Sequence, residues 1–563
     1  MTPNTRRLLG AGAVLALSAC AATSPPAPPS PPPPAPPPPP MSAPVTLKGS
    51  RVGAPAPQMA PVMMPPAPPP VLVIPADPDR DVYSDTVPNP VHVTAEEPIS
   101  TFSSDVDTAA YANVRRFLLG GSAPPKDAVR IEELVNYFDY DYALPKSRET
   151  PFTASAEIVP SPWGAGRELL RIGIQGYDIP KTERPPLNLT LLVDVSGSMN
   201  DANKLPLAVK ALRLLVEEMN ETDCIAIVVY AGAAGAVLEP TSGAEKGRIL
   251  AALESLRAGG STAGGEGLRL AYSLARQSFR KDGVNRVMLM TDGDFNVGLS
   301  NPERLEDFVS RERESGVYLS VIGFGEGNYN DALMQTLAQS GNGVAAYIDT
   351  LNEARKVFSD DLSGSMFPIA EDLKIQVDFN PAAVSEYRLI GYETRMLNRE
   401  DFNNDRVDAG DIGAGHSVTA IYELTPTGSK ARLIDPSRYA SPPKPTGPRA
   451  SEVAYIKLRY KPPGSDTSQL IERPVTLSDA VPDLAQASES TRFAVAVAGY
   501  GGLLKGDPYI DPSFDWEDVV AIASGAKGED AFGYRAEFVQ LARLARIAAS
   551  QTAPSPPAGV PER

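Results

Sequence analysis

Hydrophobic and polar positions change period three times along the chain. From about residue 187 to 365, short apolar runs alternate with amphipathic stretches. The runs are 187–194, 223–231, 285–292, 317–324 and 345–350. Between them, Leu205 to Met219, Leu268 to Phe279 and Asp331 to Gln339 place apolar residues three and four apart. Buried strands alternating with helices predict a parallel sheet covered on both faces. After about residue 371 the period falls to two: Leu373 to Phe379, Ser417 to Leu424 and Val453 to Tyr460 each alternate. That is the pattern of antiparallel strands with one face buried. Residues 152–182 read the same way, notably Glu157-Ile158-Val159 and Leu169 to Ile174. Strands before and after the α/β region suggest one β-sandwich interrupted by an insertion. Helical patterns flank the whole: Tyr111 to Leu119 and Asp127 to Phe138 on one side, and residues 485–548 on the other.

A chain of 563 residues is too long for one core. The expected segments are 1–20 as a signal peptide, 21–92 as a Pro-rich tether and 93–150 as a helical N-terminal segment. Residues 151–184 and 367–483 are the two parts of the sandwich, with 185–366 as the α/β domain between them. A helical C-terminal segment, 484–548, and a tail, 549–563, complete the chain. Proline blocks at 25–40 and 65–70 cannot build a core and predict extended polyproline II or disorder.

Arg6 and Arg7, the apolar run Leu8 to Leu17, and Leu17-Ser18-Ala19-Cys20 form a targeting segment, too short to span a bilayer. Removing residues 1–19 takes away two arginines and shifts the formal charge from −17 to −19. An acidic surface of this kind argues against nucleic acid and anionic headgroups as partners. Cys224 would then be the only unmodified cysteine, most simply a small buried residue, and no intrachain disulfide could form.

The chemistry concentrates in the α/β region. Leu189 to Val193 is an apolar run ending in Asp194, with Ser196 and Ser198 following. Gly259-Gly260-Ser261-Thr262 adds a hydroxyl in a Gly-rich loop, and Val287 to Met290 leads to Thr291-Asp292-Gly293. In an open α/β sheet, ligands bind outside the carboxyl ends of the strands. Asp194, Ser196, Ser198, Thr262 and Asp292 can therefore converge there from three loops. Hydroxyl and carboxylate oxygens without His or thiolate suit Mg²⁺, with Mn²⁺ or Ca²⁺ possible. Glu266 and Asp294 are further acids nearby.

Enzyme chemistry is not expected. The chain holds only His92 and His416, no Gly-x-Ser-x-Gly elbow and no phosphate-cradling Gly-x-x-x-x-Gly-Lys loop. Both histidines read as non-catalytic, His92 facing solvent and His416 as a structural hydrogen bonder. Asp401, Asn403 and Asp405 have the first spacings of a calcium loop. Arg406 and Ile412, however, stand where a glycine and a bidentate Glu are needed, so a solvated loop is expected.

These motifs resemble the metal-ion-dependent adhesion site of a von Willebrand factor type A domain. The expected fold is thus multidomain: a doubly wound, Rossmann-like α/β type A domain inserted in or flanked by an antiparallel β-sandwich. The resemblance implies that Ser196, Ser198 and Thr262 touch the metal directly. It implies that Asp194 and Asp292 act through water, and that an acidic side chain of a partner protein fills the open position. Leu17 to Cys20 resembles a bacterial lipobox, which implies lipidation of Cys20. Ala21 after it implies the outer membrane, with the protein periplasmic or surface-facing. Ser100 to Thr108, Arg130 to Phe138, Asn398 to Asp405 and Gly413 to His416 resemble the bacterial YfbK-like lipoproteins. The expected function is a lipid-anchored, extracytoplasmic protein-binding module with a Mg²⁺-dependent adhesion site. The alternative is an envelope assembly factor in which the type A domain is a scaffold.

Overall fold

The strand Leu187–Asp194 is buried at all eight positions, which only a sheet covered on both faces allows. It lies near the middle of a six-stranded sheet. In spatial order the strands are Ala345–Ile348, Val317–Phe324, Val284–Thr291, Leu187–Asp194, Cys224–Tyr230 and Ala234–Ser242. The computed structural model describes residues 81–104, 107–260, 264–293, 302–326, 329–435 and 451–552. All fall within one compact unit, Pro78–Arg563. Cys20, the proline blocks and residues 553–563 lie outside the described residues, and the last helix runs to Thr552, four residues into the expected tail.

Successive side chains of the central strand point to opposite faces. Leu191 and Val193 pack with Ala208, Leu212 and Leu215 of the helix Leu205–Glu218. Leu192 packs with Leu268, Ala271 and Tyr272 of the helix Gly264–Gln277. The neighbours of Leu187–Asp194 and Val317–Phe324 within this sheet are parallel to them. One edge departs from expectation: Cys224–Tyr230 and Ala234–Ser242 pair antiparallel. The link between them, 231–233, is too short for a parallel crossover, so a hairpin is the only possible connection.

The interrupted sandwich is present. One sheet orders His92–Val93, Val384–Ile390, Ser417–Pro426, Glu168–Gly176 and Phe152–Pro160. Ile172, before the α/β domain, pairs with Ala420, after it. The second sheet is Gly410–Gly413, Pro368–Phe379, Glu452–Lys461 and Gln469–Thr476. The strand Ile99–Ser103 also pairs with Pro368–Phe379, Phe102 opposite Ile375. Strands therefore begin inside the segment expected to be helical. Phe102, Leu170, Ile172, Ile375, Val377 and Tyr422 fill the core between the sheets.

The flanking helices form a third layer. Ala109–Leu119 and the short Ile131–Asn136 pack with Glu489–Lys505, Trp516–Gly525 and Tyr534–Thr552 around Tyr111, Phe138, Phe493 and Phe538. The expected helix from Asp127 to Phe138 is broken: a 3-10 turn occupies Lys126–Ala128, and Val129 is extended. Arg115 ties this layer to the α/β domain, donating to Asp349 (2.8 Å) and Glu353 (2.7 Å), and also donates to Glu537 (2.9 Å) within the layer. Arg130 does the same through Asp331 (2.7 Å). No helix among the described residues is long and apolar enough to cross a membrane.

Candidate metal centre

The sheet order reverses direction at one place. From Leu187–Asp194 the chain proceeds outward through Cys224–Tyr230, then returns to Val284–Thr291 on the other side. Helices on opposite faces leave a crevice at that switch point. Val193 pairs with Met290, so Asp194 and Asp292 emerge side by side at its floor. Asp194 is fully buried and Asp292 nearly so.

The first loop is folded around Asp194. Its Oδ1 accepts the Ser196 backbone N–H at 2.7 Å, and the Ser196 and Ser198 hydroxyls lie 2.9 Å apart. Ser196 is buried and Ser198 exposed, so the crevice opens on the Ser198 side. The Gly-rich loop is laced to this one through its backbone. Gly259 N–H donates to Val195 O (2.7 Å), and Gly197 N–H donates to Gly260 O (3.0 Å). Gly260 has φ +92°, and a Cβ there would lie 3.3 Å from Gly232 N. Thr262 lies outside the described residues. On the far wall, Gly293 adopts φ +95°, a conformation that favours glycine. Glu266 is exposed on the first helical turn, and Asp294 lies outside the described residues.

Burial pushes the Asp194 carboxyl up to about 6. The Ser196 N–H works against that rise and the charge of Asp292 adds to it. The Tyr230 hydroxyl also bears on this carboxyl. Asp194 Oδ2 is buried and has no hydrogen-bond partner of ordinary geometry among the described residues. A buried carboxylate oxygen left in that state is costly, and a cation is one remedy. Among the described residues no group of three or more His, Cys, Asp or Glu is placed to hold a metal. A cation here would rest on hydroxyl and carboxylate oxygens, a set that fits a hard divalent ion.

One member of the site was not foreseen. Lys204 Nζ donates to Asp292 Oδ2 at 2.9 Å, and both side chains are buried. The lysine stem lies against Gly325, where a Cβ would come within 2.4 Å of it. Lys204 is the N-cap of the helix Leu205–Glu218. A cation is unfavourable at a helix N-terminus, so a lysine opening a helix soon after an Asp-Ser-Ser loop is the signal that marks it. Asp194, Ser196, Ser198 and Asp292 thus come together as expected, joined by Lys204.

The remaining sequence candidates lie elsewhere. His92 is partly buried, stacked on Tyr387 with ring centroids 5.3 Å apart, rather than free in solvent. His416 lines a cleft at the base of the α/β domain. Neither approaches the serines. Asp401 caps the 3-10 turn Arg399–Asn403, and Asp405 pairs with Arg459 at 2.9 Å, so that loop is a capped, ion-paired turn. Cys224 is buried.

The chain is similar to known proteins along most of its length. Residues 188–360 match the von Willebrand factor type A domain. Residues 364–547 match a family described as uncharacterized protein YfbK, C-terminal, and residues 77–171 match one described as von Willebrand factor. The chain is 48% identical over 477 residues to the uncharacterized protein YfbK of Escherichia coli strain K12, covering 84% of this chain and 82% of that one. It is 25% identical over 264 residues to human inter-alpha-trypsin inhibitor heavy chain H3, covering 42% of this chain and 28% of that protein. A solved structure, von Willebrand factor type A from Catenulispora acidiphila, aligns at 14% identity and a TM-score of 0.40, over 73% of this chain and 91% of that one.

Proposed function

The chain belongs to the YfbK family and carries a von Willebrand factor type A domain, and from that premise we propose that it captures a partner protein at the cell envelope through a divalent cation. A type A domain supports an interaction or adhesion role in general terms. The finer reading rests on one observation: the buried Asp194 and the paired Ser196 and Ser198 hydroxyls stand beside Asp292 at the switch point.

Ser196, Ser198 and Thr262 would hold the ion, with Asp194 and Asp292 behind them neutralising it. Mg²⁺ suits the oxygen donors best. When bound, the ion supplies a concentrated positive charge for a carboxylate of the partner. The chain's own residues set how much of that charge is left over. Asp194 and Asp292 bring two negative charges, and Lys204 cancels one. A divalent cation would then remain undersaturated and open to an acidic side chain. The exposed Ser198 marks the side of approach.

Leu17 to Cys20 support lipid attachment at Cys20, with the Pro-rich segment as a spacer. Cys20→Ser should move the protein from the membrane fraction to the soluble one. Unchanged fractionation would remove the anchor from the proposal. Partner capture is tested by cross-linking in cells with Mg²⁺ present or chelated. Adducts lost on chelation and in Ser198→Ala support the reading.

The Lys204–Asp292 pair also favours a second reading. With its charge partly balanced from within, the domain can hold its fold without a cation and serve as an assembly scaffold. Adducts that persist in chelator and in Ser198→Ala would favour that reading.

A further inference from the structure

The opposite end of the type A sheet meets the sandwich at a cleft of about 330 Å³. That is the small end of the range for ligand sites, about 300–1,000 Å³. Its charged lining can be sorted by partner. Arg395 pairs with Asp107 (3.1 Å), and Arg313 holds Asp408 (2.7 Å). Lys356 holds Asp361 (2.9 Å). Two groups remain, Arg286 and Asp411.

Arg286 lies in the strand Val284–Thr291 and is 4% exposed. Its Nη1 donates to Ser320 Oγ at 2.6 Å, but its buried Nε has no acceptor among the described residues. The other buried arginines among them, at 115, 130, 171, 388 and 395, each have a carboxylate within 3.5 Å. Among the described residues Arg286 has none within 4.0 Å; its guanidinium lies over the Tyr318 ring, 5.6 Å from the centroid, and the charge of Asp411 bears on it from farther away. A buried cation without a counter-ion is expensive, so a bound anion would be strongly favoured there.

Asp411 stands across the same cleft. It accepts only long bonds, 3.3 Å from Asp372 N–H and 3.3 Å from Asn342 Nδ2, and no lysine or arginine among the described residues reaches it within 4.0 Å. Burial, helped by Glu371, pushes its carboxyl up to about 8, so it is largely protonated near neutral pH, and an ammonium placed against it would favour its ionised form. A phosphate or other dianion would satisfy Arg286 but leave Asp411 without a positive partner. A molecule that carries both a carboxylate and an ammonium offers a partner to each of these two groups of the same cleft.

We propose that this cleft binds a free amino acid, its carboxylate on Arg286 and its ammonium on Asp411. Serine, threonine and amide side chains of the lining, such as Ser104, Thr108 and Asn342, supply further polar contacts.

The test is calorimetric titration of each common amino acid into the full chain, with acetate, methylamine and inorganic phosphate as comparison probes. At least one amino acid should bind at a single site, tenfold or more tighter than acetate or methylamine. Arg286→Met should abolish that binding, and Asp411→Asn should weaken it about tenfold, the loss of one charge-assisted contact. Without ligand, Arg286→Met should melt at or above the wild-type temperature, because it removes an uncompensated buried charge. The proposal is overturned if no amino acid binds, if binding survives in Arg286→Met, or if phosphate alone binds through Arg286. A large fall in melting temperature for Arg286→Met would also overturn it, by showing that the guanidinium is structural.

Discussion

The two ends of the type A sheet present opposite problems in charge. At the carboxyl ends, Asp194 and Asp292 crowd two carboxylates into a buried crevice, and Lys204 offsets one. At the amino ends, Arg286 is a buried guanidinium with no carboxylate within 4.0 Å among the described residues, and Asp411, which lines the same cleft, comes from the sandwich. The first end has an excess of negative charge and opens outward past Ser198. The second has an unpaired positive charge and is roofed by the sandwich. On the proposed readings, the same scaffold would build a cation site at one end and an amino-acid site at the other by placing unmatched charge where water is scarce. The sign of the unmatched group tells which ligand each end would take.

Breaking the first end should give the largest effects. If Ser196 holds the ion as proposed, Ser196→Ala removes a direct oxygen ligand and should weaken Mg²⁺ binding by about a hundredfold, the upper end of what loss of a supporting group costs. Circular dichroism should remain native, and amino-acid binding at the other end should be unaffected. If that variant bound both ligands normally, the two ends would not be distinguished by these residues.

Lys204→Met should come next. It leaves Asp292 buried without its cation, at a cost of about 3–5 kcal/mol in metal-free protein. Added Mg²⁺ should then raise the melting temperature more than it does for the wild type, since binding to the folded state stabilises by mass action. An equal shift in both proteins would show that Lys204 does not share the crevice charge.

A smaller, pH-dependent effect should mark the second end. The folded protein holds the Asp411 proton to about pH 8, whereas the unfolded chain releases it near 3.9. The folded state therefore binds more protons between those values, and this group lowers stability progressively as pH rises from about 4 to about 8. Asp411→Asn removes that cost. Its gain in melting temperature should be slight at pH 5 and greatest at pH 8–9. A gain independent of pH would contradict the assignment.

The two ends also differ in how far they could be read from the chain. Asp194, Ser196 and Ser198 lie on one loop after an unbroken apolar strand, so local sequence places them. Asp292 follows a second such strand. Lys204 escaped notice because its role depends on the Gly325 turn beneath its stem and on Asp292 across the crevice, both far away in sequence. The second end was not legible at all. Arg286 sits at the start of an apolar run, and its cleft draws residues from four separate stretches between 103 and 416.

The same distinction holds for the fold. Strands with strong periodicity, such as Ser417–Pro426, stood out, whereas Ile99–Ser103 and Ala234–Ser242 did not. Ile99–Ser103 buries Ser100 and Thr101, which are satisfied by Tyr422 (2.9 Å) and Gln376 (3.1 Å), so its pattern looks polar. Ala234–Ser242 is an edge strand with only Leu238 and a few small side chains turned inward. The helix near Asp127 was overextended because apolar spacing alone does not reveal the extended Val129.

The central claim is that the crevice at Asp194 is a working cation site. Calorimetric titration of Mg²⁺ into the soluble protein lacking residues 1–80, beside the Asp194→Ala variant, tests it most directly. The account predicts one binding event in the wild type and none in the variant, with both proteins folded. A folded wild-type protein that binds no Mg²⁺, or a variant that binds it equally well, would contradict the account.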